Sequence, residues 1–337
     1  MTGAVTVRAF AKINLGLRVR GIRPDGYHEL HTIFQTVALS DTLTFRAGGT
    51  AFRLRCTRDD VPVDERNLVW RAAAALWGAL GRASALPPVS VVIRKTIPPR
   101  AGLGGGSADA AAALLALARL WRARVPAGAL ERIAADLGAD VPFFLCGGTA
   151  LGLGRGDEIY PLADTPPLHV VIAYPPFGVS TSEAFGWYEA DRAPQRTGRA
   201  GRNPTEQPPV IWRPESASVT NDLEPSVLRR HPAIGDVLRR LRAAGAASAA
   251  LSGSGSAVFG LFPDAARAGQ AAARVSRYGW EARATRTLTR EQTAARFVVR
   301  ARPPWPAASR PGRPRSIRRV AGGEAPSACL DATRRID

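Results

Sequence analysis

Alternating apolar and polar positions open the chain. Val5 to Val19 runs by twos, which predicts a strand or a pair of strands with Lys12 and Asn14 on one face. The segment Arg23-Pro-Asp-Gly-Tyr27-His28 is strong turn chemistry. Leu30–Leu39 and Thr42–Phe45 then read as two more strands. The period becomes helical over Asn67–Leu80 and returns to two over 89–94. A helix is predicted from Ser107 to Trp121. A shorter one is predicted over 127–137, ending at Gly138, before Ala139-Asp140-Val-Pro142 opens a new segment. Val170–Ala173 reads as a buried strand, and Leu223–Leu241 as helical with a break near Pro232. Ser248–Leu261 is strand, small-residue turn (Ser252-Gly-Ser-Gly-Ser256) and strand; helix Ala265–Tyr278 and strand Arg283–Leu288 close the pattern. Helices and strands do not alternate regularly, so the fold class is α+β.

Length and composition narrow this picture. A chain of 337 residues, 45% hydrophobic, can bury a core and predicts two domains. No run of 18 apolar residues exists, the start lacks a signal-peptide pattern, and three scattered cysteines form neither a disulfide framework nor a metal pattern. A cytoplasmic protein is expected, without membrane partners. The net charge of +18 raises the alternative of a basic nucleic-acid-binding protein. Its distribution argues otherwise. From Arg300 onward nine arginines face only Glu324, Asp331 and Asp337 among recurring prolines and glycines, which reads as a disordered basic extension. The stretch 191–215 is polar and reads as a surface insertion.

Lysine usage is sharper. Of 46 basic residues only Lys12 and Lys95 are lysine. Where arginine serves every general purpose, a lysine marks a place that needs a compact ammonium rather than a planar fork. Lys95, at the end of strand 89–94, reads as a solvated strand end, which leaves Lys12 as the candidate.

The densest chemistry lies in Pro98-Pro99-Arg100-Ala101-Gly102-Leu103-Gly104-Gly105-Gly106-Ser107-Ala108, directly before the Ala-rich helix. Glycines expose backbone, and a helix N-terminus aims unpaired N–H groups at the same point, so the loop is an anion cradle suited to phosphate. It is neither a dinucleotide fingerprint, which needs an acidic residue after the next strand, nor a Walker loop, which needs a lysine. The protein-kinase markers are absent. Ser107 offers a hydroxyl to phosphate or magnesium, or caps the helix; both readings stand. Asp140 is either a cap or a general base within reach of an attacking hydroxyl, and its pairing with Lys12 and the loop favours the base. His28 and His31 lack a third partner for a metal, and no metal-ligating set is expected.

Five motifs occur in an order that resembles the GHMP-type small-molecule kinases. They are Lys12-Ile-Asn14, Pro24-Asp-Gly-Tyr27-His28, Gly102-Leu-Gly-Gly-Gly-Ser107, Leu137-Gly-Ala-Asp140-Val-Pro142 and Ser252-Gly-Ser-Gly255. Val219-Thr-Asn-Asp-Leu-Glu-Pro225 agrees, and the likeness runs from about residue 5 to 290. The resemblance implies a two-domain GHMP-kinase fold. The N-terminal ATP-binding domain, 1–162, would resemble the second domain of ribosomal protein S5. A ferredoxin-like domain, 163–290, would carry the 191–215 insertion, with 291–337 as tail. It further implies that ATP, with its Mg2+, phosphorylates a small molecule; the branch resembled is the one whose substrate is cytidine-diphosphate-linked methylerythritol. Lys12 and Asp140 would be catalytic, residues 98–108 would hold ATP, and His28 and Phe185 would stack the cytosine. Asn14, Tyr27 and Thr181 would help to hold the rest of the substrate. A monomer or weak homodimer is expected. Homoserine, mevalonate or a sugar as acceptor is the alternative, against which the Tyr27-His28 platform speaks. Ala108 stands where many such kinases carry serine.

Overall fold

The computed structural model describes residues 3–82, 85–192 and 218–301. Two sheets organise them. The first is built on two long antiparallel strands, β1 (Ala4–Ile22) and β2 (His28–Ala47), joined by a tight turn in which Gly26 takes a φ of +82°. The strands β3 (Arg53–Cys56), β4 (Val89–Arg94), β5 (Thr149–Leu153) and β6 (Glu158–Pro161) extend it from β2. Four helices accompany this sheet: α1 (Leu68–Ala79), α2 (Gly105–Leu120), α3 (Ala129–Leu137) and α4 (Val141–Cys146). Helix α2, mostly alanine and leucine, is buried on nearly every side and packs against β1, α1 and α4.

The runs 30–39 and 42–45, expected as separate strands, form one. Ser40-Asp41 makes no turn because Asp41 is fully buried, its carboxylate tied to groups beyond β4. Strand β1 is also continuous, but its register with β2 shifts between Phe10 and Lys12 and again between Asn14 and Gly16. Such bulges exchange the faces of a strand. Val5, Val7 and Ala9 pack under the helices, whereas Ala11, Ile13 and Leu15 pack against the second sheet.

That sheet contains β7 (His169–Tyr174), β9 (Ser248–Leu251), β10 (Val258–Phe262) and β11 (Glu281–Arg286) in the order β11-β7-β10-β9, antiparallel throughout. Helices α5 (Thr181–Arg192), α6 (Glu224–Arg230), α7 (Pro232–Ala243) and α8 (Ala265–Ser276) complete a ferredoxin-like unit. Alternation along β7 explains how the two layers join. Val171 and Ala173 face the helices; Val170, Ile172 and Tyr174 face β1 and β2. The interface between the sheets is therefore a third hydrophobic core.

The chain beyond β11 corrects an expectation. Residues from 291 on, read as a disordered tail, begin with helix α9 (Arg290–Phe297) and strand β12 (Val298–Ala301), which pairs with β1. Helix α9 starts at a Thr289/Gln292 capping box, and Arg290 reaches the carbonyls of Thr149 and Leu162 in the first sheet. The arginine-rich composition hid a segment with specific partners. The basic stretch after 301 and most of the expected insertion 191–215 lie outside the described residues, while Asp191 and Arg192, read as the start of that insertion, instead end helix α5. Among the described residues no helix is long and apolar enough to cross a membrane.

Candidate active site

The glycine loop sits where the two units meet. Gly102 and Gly104 adopt left-handed conformations, with φ of +72° and +69°. A Cβ on Gly104 would come within 2.7 Å of the Phe144 ring and 3.2 Å of Lys12 Cγ. Helix α2 begins at Gly105, two residues earlier than expected, and Gly104 is its N-cap. Ser107 is therefore not the cap; its hydroxyl lies in the first turn. The first helical bond runs from Ala108 N–H to Gly104 C=O at 2.8 Å. The N–H groups of Gly105, Gly106 and Ser107 are left without partners among the described residues, as an anion cradle requires.

The second small-residue turn closes on the first. Ser252 Oγ donates to Gly102 C=O at 3.0 Å, and Ala257 N–H to Ala101 C=O at 3.1 Å. Asn221, in the short strand β8 (Thr220–Asn221) beside β1, clamps that turn by donating to the carbonyls of Leu251 and Gly253 at 2.9 and 2.8 Å. Thr181, at the start of α5, places its hydroxyl 3.3 Å from Ser254 Oγ.

Lys12 and Asp140 meet at this junction, with Nζ 3.5 Å from Oδ2. The bulge after Phe10 turns Lys12 toward the start of α2, and its backbone N–H bonds Leu103 C=O at 3.1 Å. Asp140 occupies the N-cap position of α4, yet its side chain makes no capping bond. Its carboxylate, one-third exposed, lies beside the Lys12 ammonium instead. Lys12 is buried and donates to Asn14 Oδ1 at 2.7 Å, while Asn14 Nδ2 donates to Thr32 Oγ1 at 2.7 Å. Asn14 is only 1% exposed. Asn14, expected to help hold the substrate, already has two protein partners, one on its amide oxygen and one on its amide nitrogen.

Lys95 is the larger correction. It is not a solvated strand end but a buried ammonium, 2.5 Å from Asp41 Oδ2 and 2.9 Å from Asp109 Oδ2. Asp41 Oδ1 also accepts from the N–H groups of Thr96 and Ile97, at 2.5 and 2.9 Å. Strand β2, the entry to the glycine loop and the first turns of α2 are thus fastened together directly beneath the cradle. Burial opposes the charge on Lys95, but the two carboxylates overcome it and raise its pKa. Burial also pushes Asp109 up to about 8. Removing Lys95 or Asp41 from such a cluster costs about 3–5 kcal/mol, because it strands a charge. Nothing in the period of β4 distinguishes this lysine; its rarity was the only available signal.

The two residues expected to stack the cytosine lie against each other. The rings of His28 and Phe185 stack directly, centroids 4.5 Å apart and planes 23° apart. A base between them needs about 3.5 Å on each side, so the rings must separate by about 2.5 Å, or the base must stack on an outer face. His28 Nε2 lies 2.8 Å from Glu189 Oε1 but out of line for a hydrogen bond. Tyr27 is exposed on the turn, with the Arg155 guanidinium 5.2 Å from its ring centre. His28 lies four residues along β2 from Thr32, a span of about 13 Å at 3.3 Å per residue. A second feature went unread in the sequence: an open groove of about 410 Å³ lined by Val63, Asp64, Glu65, Arg66 and Trp70. Leu68, beside it, would be 3.7 Å from a Cβ on Gly106.

An anion cradle and a lysine–aspartate pair, held between a helix-covered sheet and a ferredoxin-like sheet, define a phosphate-handling enzyme of the GHMP class. The sequence profile of the GHMP kinases N terminal domain matches residues 67–148, and that of the GHMP kinases C terminal matches 214–280. A 4-diphosphocytidyl-2-C-methyl-D-erythritol kinase of Pelotomaculum thermopropionicum is 41% identical over 292 residues, 84% of this chain and 98% of the relative. The enzyme of the same name from Moorella thermoacetica is 42% identical over 289 residues, 84% and 99% of the two chains. A crystal structure of 4-(cytidine 5'-diphospho)-2C-methyl-D-erythritol kinase superposes with a TM-score of 0.66 at 36% identity, covering 84% of this chain and 98% of that one. Homoserine kinase from Cytophaga hutchinsonii, at 19% identity and a TM-score of 0.60, shares the fold, covering 85% and 95% of the chains. The chain belongs to the 4-diphosphocytidyl-2-C-methyl-D-erythritol kinase family of GHMP kinases.

Proposed function

We propose that the protein transfers the γ-phosphoryl group of ATP to the 2-hydroxyl of 4-(cytidine 5'-diphospho)-2-C-methyl-D-erythritol, giving the 2-phosphate and ADP. The observation that carries this reading is the Lys12–Asp140 pair, 3.5 Å apart, beside the unpaired N–H groups that open α2.

Phosphoryl transfer asks a protein mainly for position and for charge placed where charge develops. The loop from Pro98 to Ala108 receives the nucleotide phosphates on backbone N–H groups, and the groove at Val63–Trp70 receives the rest of the nucleotide. Asp140 accepts the proton of the attacking hydroxyl as the new P–O bond forms. Lys12, fixed from behind by Asn14, presents positive charge to the group in transit. Tyr27, His28 and Phe185 bind the cytidine end, and Thr181 closes the diphosphate side. Magnesium arrives with ATP and shields its phosphate charge. Ser107 is the loop side chain with an oxygen to offer it.

The test is an ATP-consumption assay on the purified protein with four acceptors: the cytidylyl-methylerythritol substrate, homoserine, mevalonate and galactose. Turnover with the first alone is expected. Turnover with another acceptor at a comparable kcat/KM refutes the assignment, as does no turnover with the first.

A further inference from the structure

We propose that Thr32 is a positioning residue for Lys12, and that it works by fixing which way the amide of Asn14 faces. The inference rests on the reading of Lys12 as the charge beside the transferred phosphoryl group.

Four groups form one buried line. Lys12 Nζ donates to Asn14 Oδ1 at 2.7 Å, Asn14 Nδ2 donates to Thr32 Oγ1 at 2.7 Å, and Thr32 Oγ1 donates to Gly16 C=O at 2.8 Å. Hydrogen-bond chemistry allows the line a single polarity. A backbone carbonyl only accepts, so the one hydroxyl proton of Thr32 must point to Gly16. What Thr32 then shows to Asn14 is a lone pair. Only the NH2 end of the amide can meet it, and the amide oxygen is left facing Lys12. The opposite rotamer would set two N–H groups against an ammonium and a lone pair against a lone pair. Thr32 and Asn14 are each 1% exposed, so bulk water is not at hand to substitute for a missing link.

The bulges of β1 make this alignment possible. Lys12, Asn14 and Gly16 belong to one strand, with register shifts on both sides of the Lys12–Asn14 pair, and Thr32 comes from β2. The ammonium is held from two sides, at 2.7 Å by Asn14 and at 3.5 Å by Asp140. The closer partner carries no charge. An ammonium released by Asn14 would move onto Asp140 and occupy the carboxylate that has to meet the substrate hydroxyl. The Gly16 carbonyl thus sets, through three side chains, the separation between the lysine and the aspartate.

The chain has only two lysines, Lys12 and Lys95, so lysine labelled with 13C at Cε gives two side-chain signals, assigned by Lys12→Met. Thr32→Val keeps the volume and removes the hydroxyl; Thr32→Ser keeps the hydroxyl; Thr32→Cys supplies only a weak donor. The expected result is a displaced Lys12 signal in Thr32→Val with the Lys95 signal in place. Turnover should fall at least ten-fold in that variant with the KM for ATP unchanged, and both readouts should return to wild type in Thr32→Ser. Thr32→Cys should lie between, so that turnover follows donor strength rather than volume, and melting curves select the folded variants for comparison. The proposal is overturned if Thr32→Val leaves either the Lys12 signal or kcat unchanged, or if Thr32→Ser and Thr32→Val lose turnover equally. Full activity in Lys12→Met would instead refute the role of Lys12 itself, a result the lysine signals tell apart from failure of the relay.

Discussion

A Cβ atom on Gly102 would lie 1.9 Å from the carbonyl oxygen of Ser252. The same carbonyl accepts from Gly255 N–H at 2.9 Å, so the second turn cannot simply retreat. Gly102 also holds a left-handed φ of +72°, which costs a residue with a side chain about 1–2 kcal/mol. Gly102→Ala is therefore expected to destabilise the protein by at least about 2 kcal/mol, the sum of that strain and the forced parting of the turns. Gly106→Ala is the control: its nearest neighbour would be Leu68 Cδ1 at an ordinary 3.7 Å. Urea unfolding of the two variants checks the contrast, and equal midpoints would contradict the close approach.

Lys12 and Asp140 are expected to separate binding from turnover. Asp140→Asn keeps the shape of the side chain and removes its basicity, so kcat should fall by about 10²–10⁴. Lys12→Met keeps the stem and removes the charge, at a cost of about 10²–10³ in kcat, the scale of one lost transition-state contact. Nucleotide binding, followed by calorimetry, should change little in the aspartate variant, because the cradle is made of backbone. An aspartate variant with normal turnover would return Asp140 to a structural role.

The sequence read well where one period or one turn sufficed. The strands around Val91 and Val171 and the Ala-rich helix after Gly105 announce themselves by local pattern. Lys12 and Asp140 were legible because they stand in a short motif and a rare residue type, although their meeting depends on a bulge that no local pattern marks. What stayed hidden is long-range. The strand 28–47 read as two because the partners that hold its middle straight at Asp41 come from Lys95, Thr96 and Ile97. Thr32 looked like any strand threonine, since its importance lies in the direction of one proton. The helix at Arg290 was masked by an arginine-rich composition that continues past it.

Asp109 should leave a signature in the pH dependence of stability. Burial raises its pKa to about 8 in the folded protein, against an ordinary value near 4. Between those values the folded chain holds a proton that the unfolded chain has released. Its contribution is complete below about pH 4, declines as pH rises, and is lost above about pH 8. Asp109→Asn supplies a neutral group of the same shape at every pH. The variant should lose this slope, so its stability relative to wild type should improve from pH 5 to pH 9. Parallel curves for the two proteins would show instead that Asp109 is charged throughout.

The end of the described chain gives the last prediction. Arg290 bonds the carbonyls of Thr149 and Leu162 at 3.0 and 3.2 Å, its backbone N–H bonds Asp164 at 2.8 Å, and Thr293 packs against Gly147. Gly147 ends the short helix whose N-cap is Asp140. The segment after β11 therefore braces the far end of the helix that carries the Asp140 carboxylate at its start. Truncation after Ala301 removes none of these contacts and should leave melting temperature and kcat as they are. Truncation after Leu288 removes all of them together with the pairing of β12 on β1. A loss of about 2–3 kcal/mol is expected from these bonds and contacts, which in a chain of this size lowers the melting temperature by roughly 3–5 °C. It should lower kcat more than the KM for either substrate, because both binding surfaces stay in place while the carboxylate loses its backing. Equal melting temperatures for the two truncations would show that the brace carries no load.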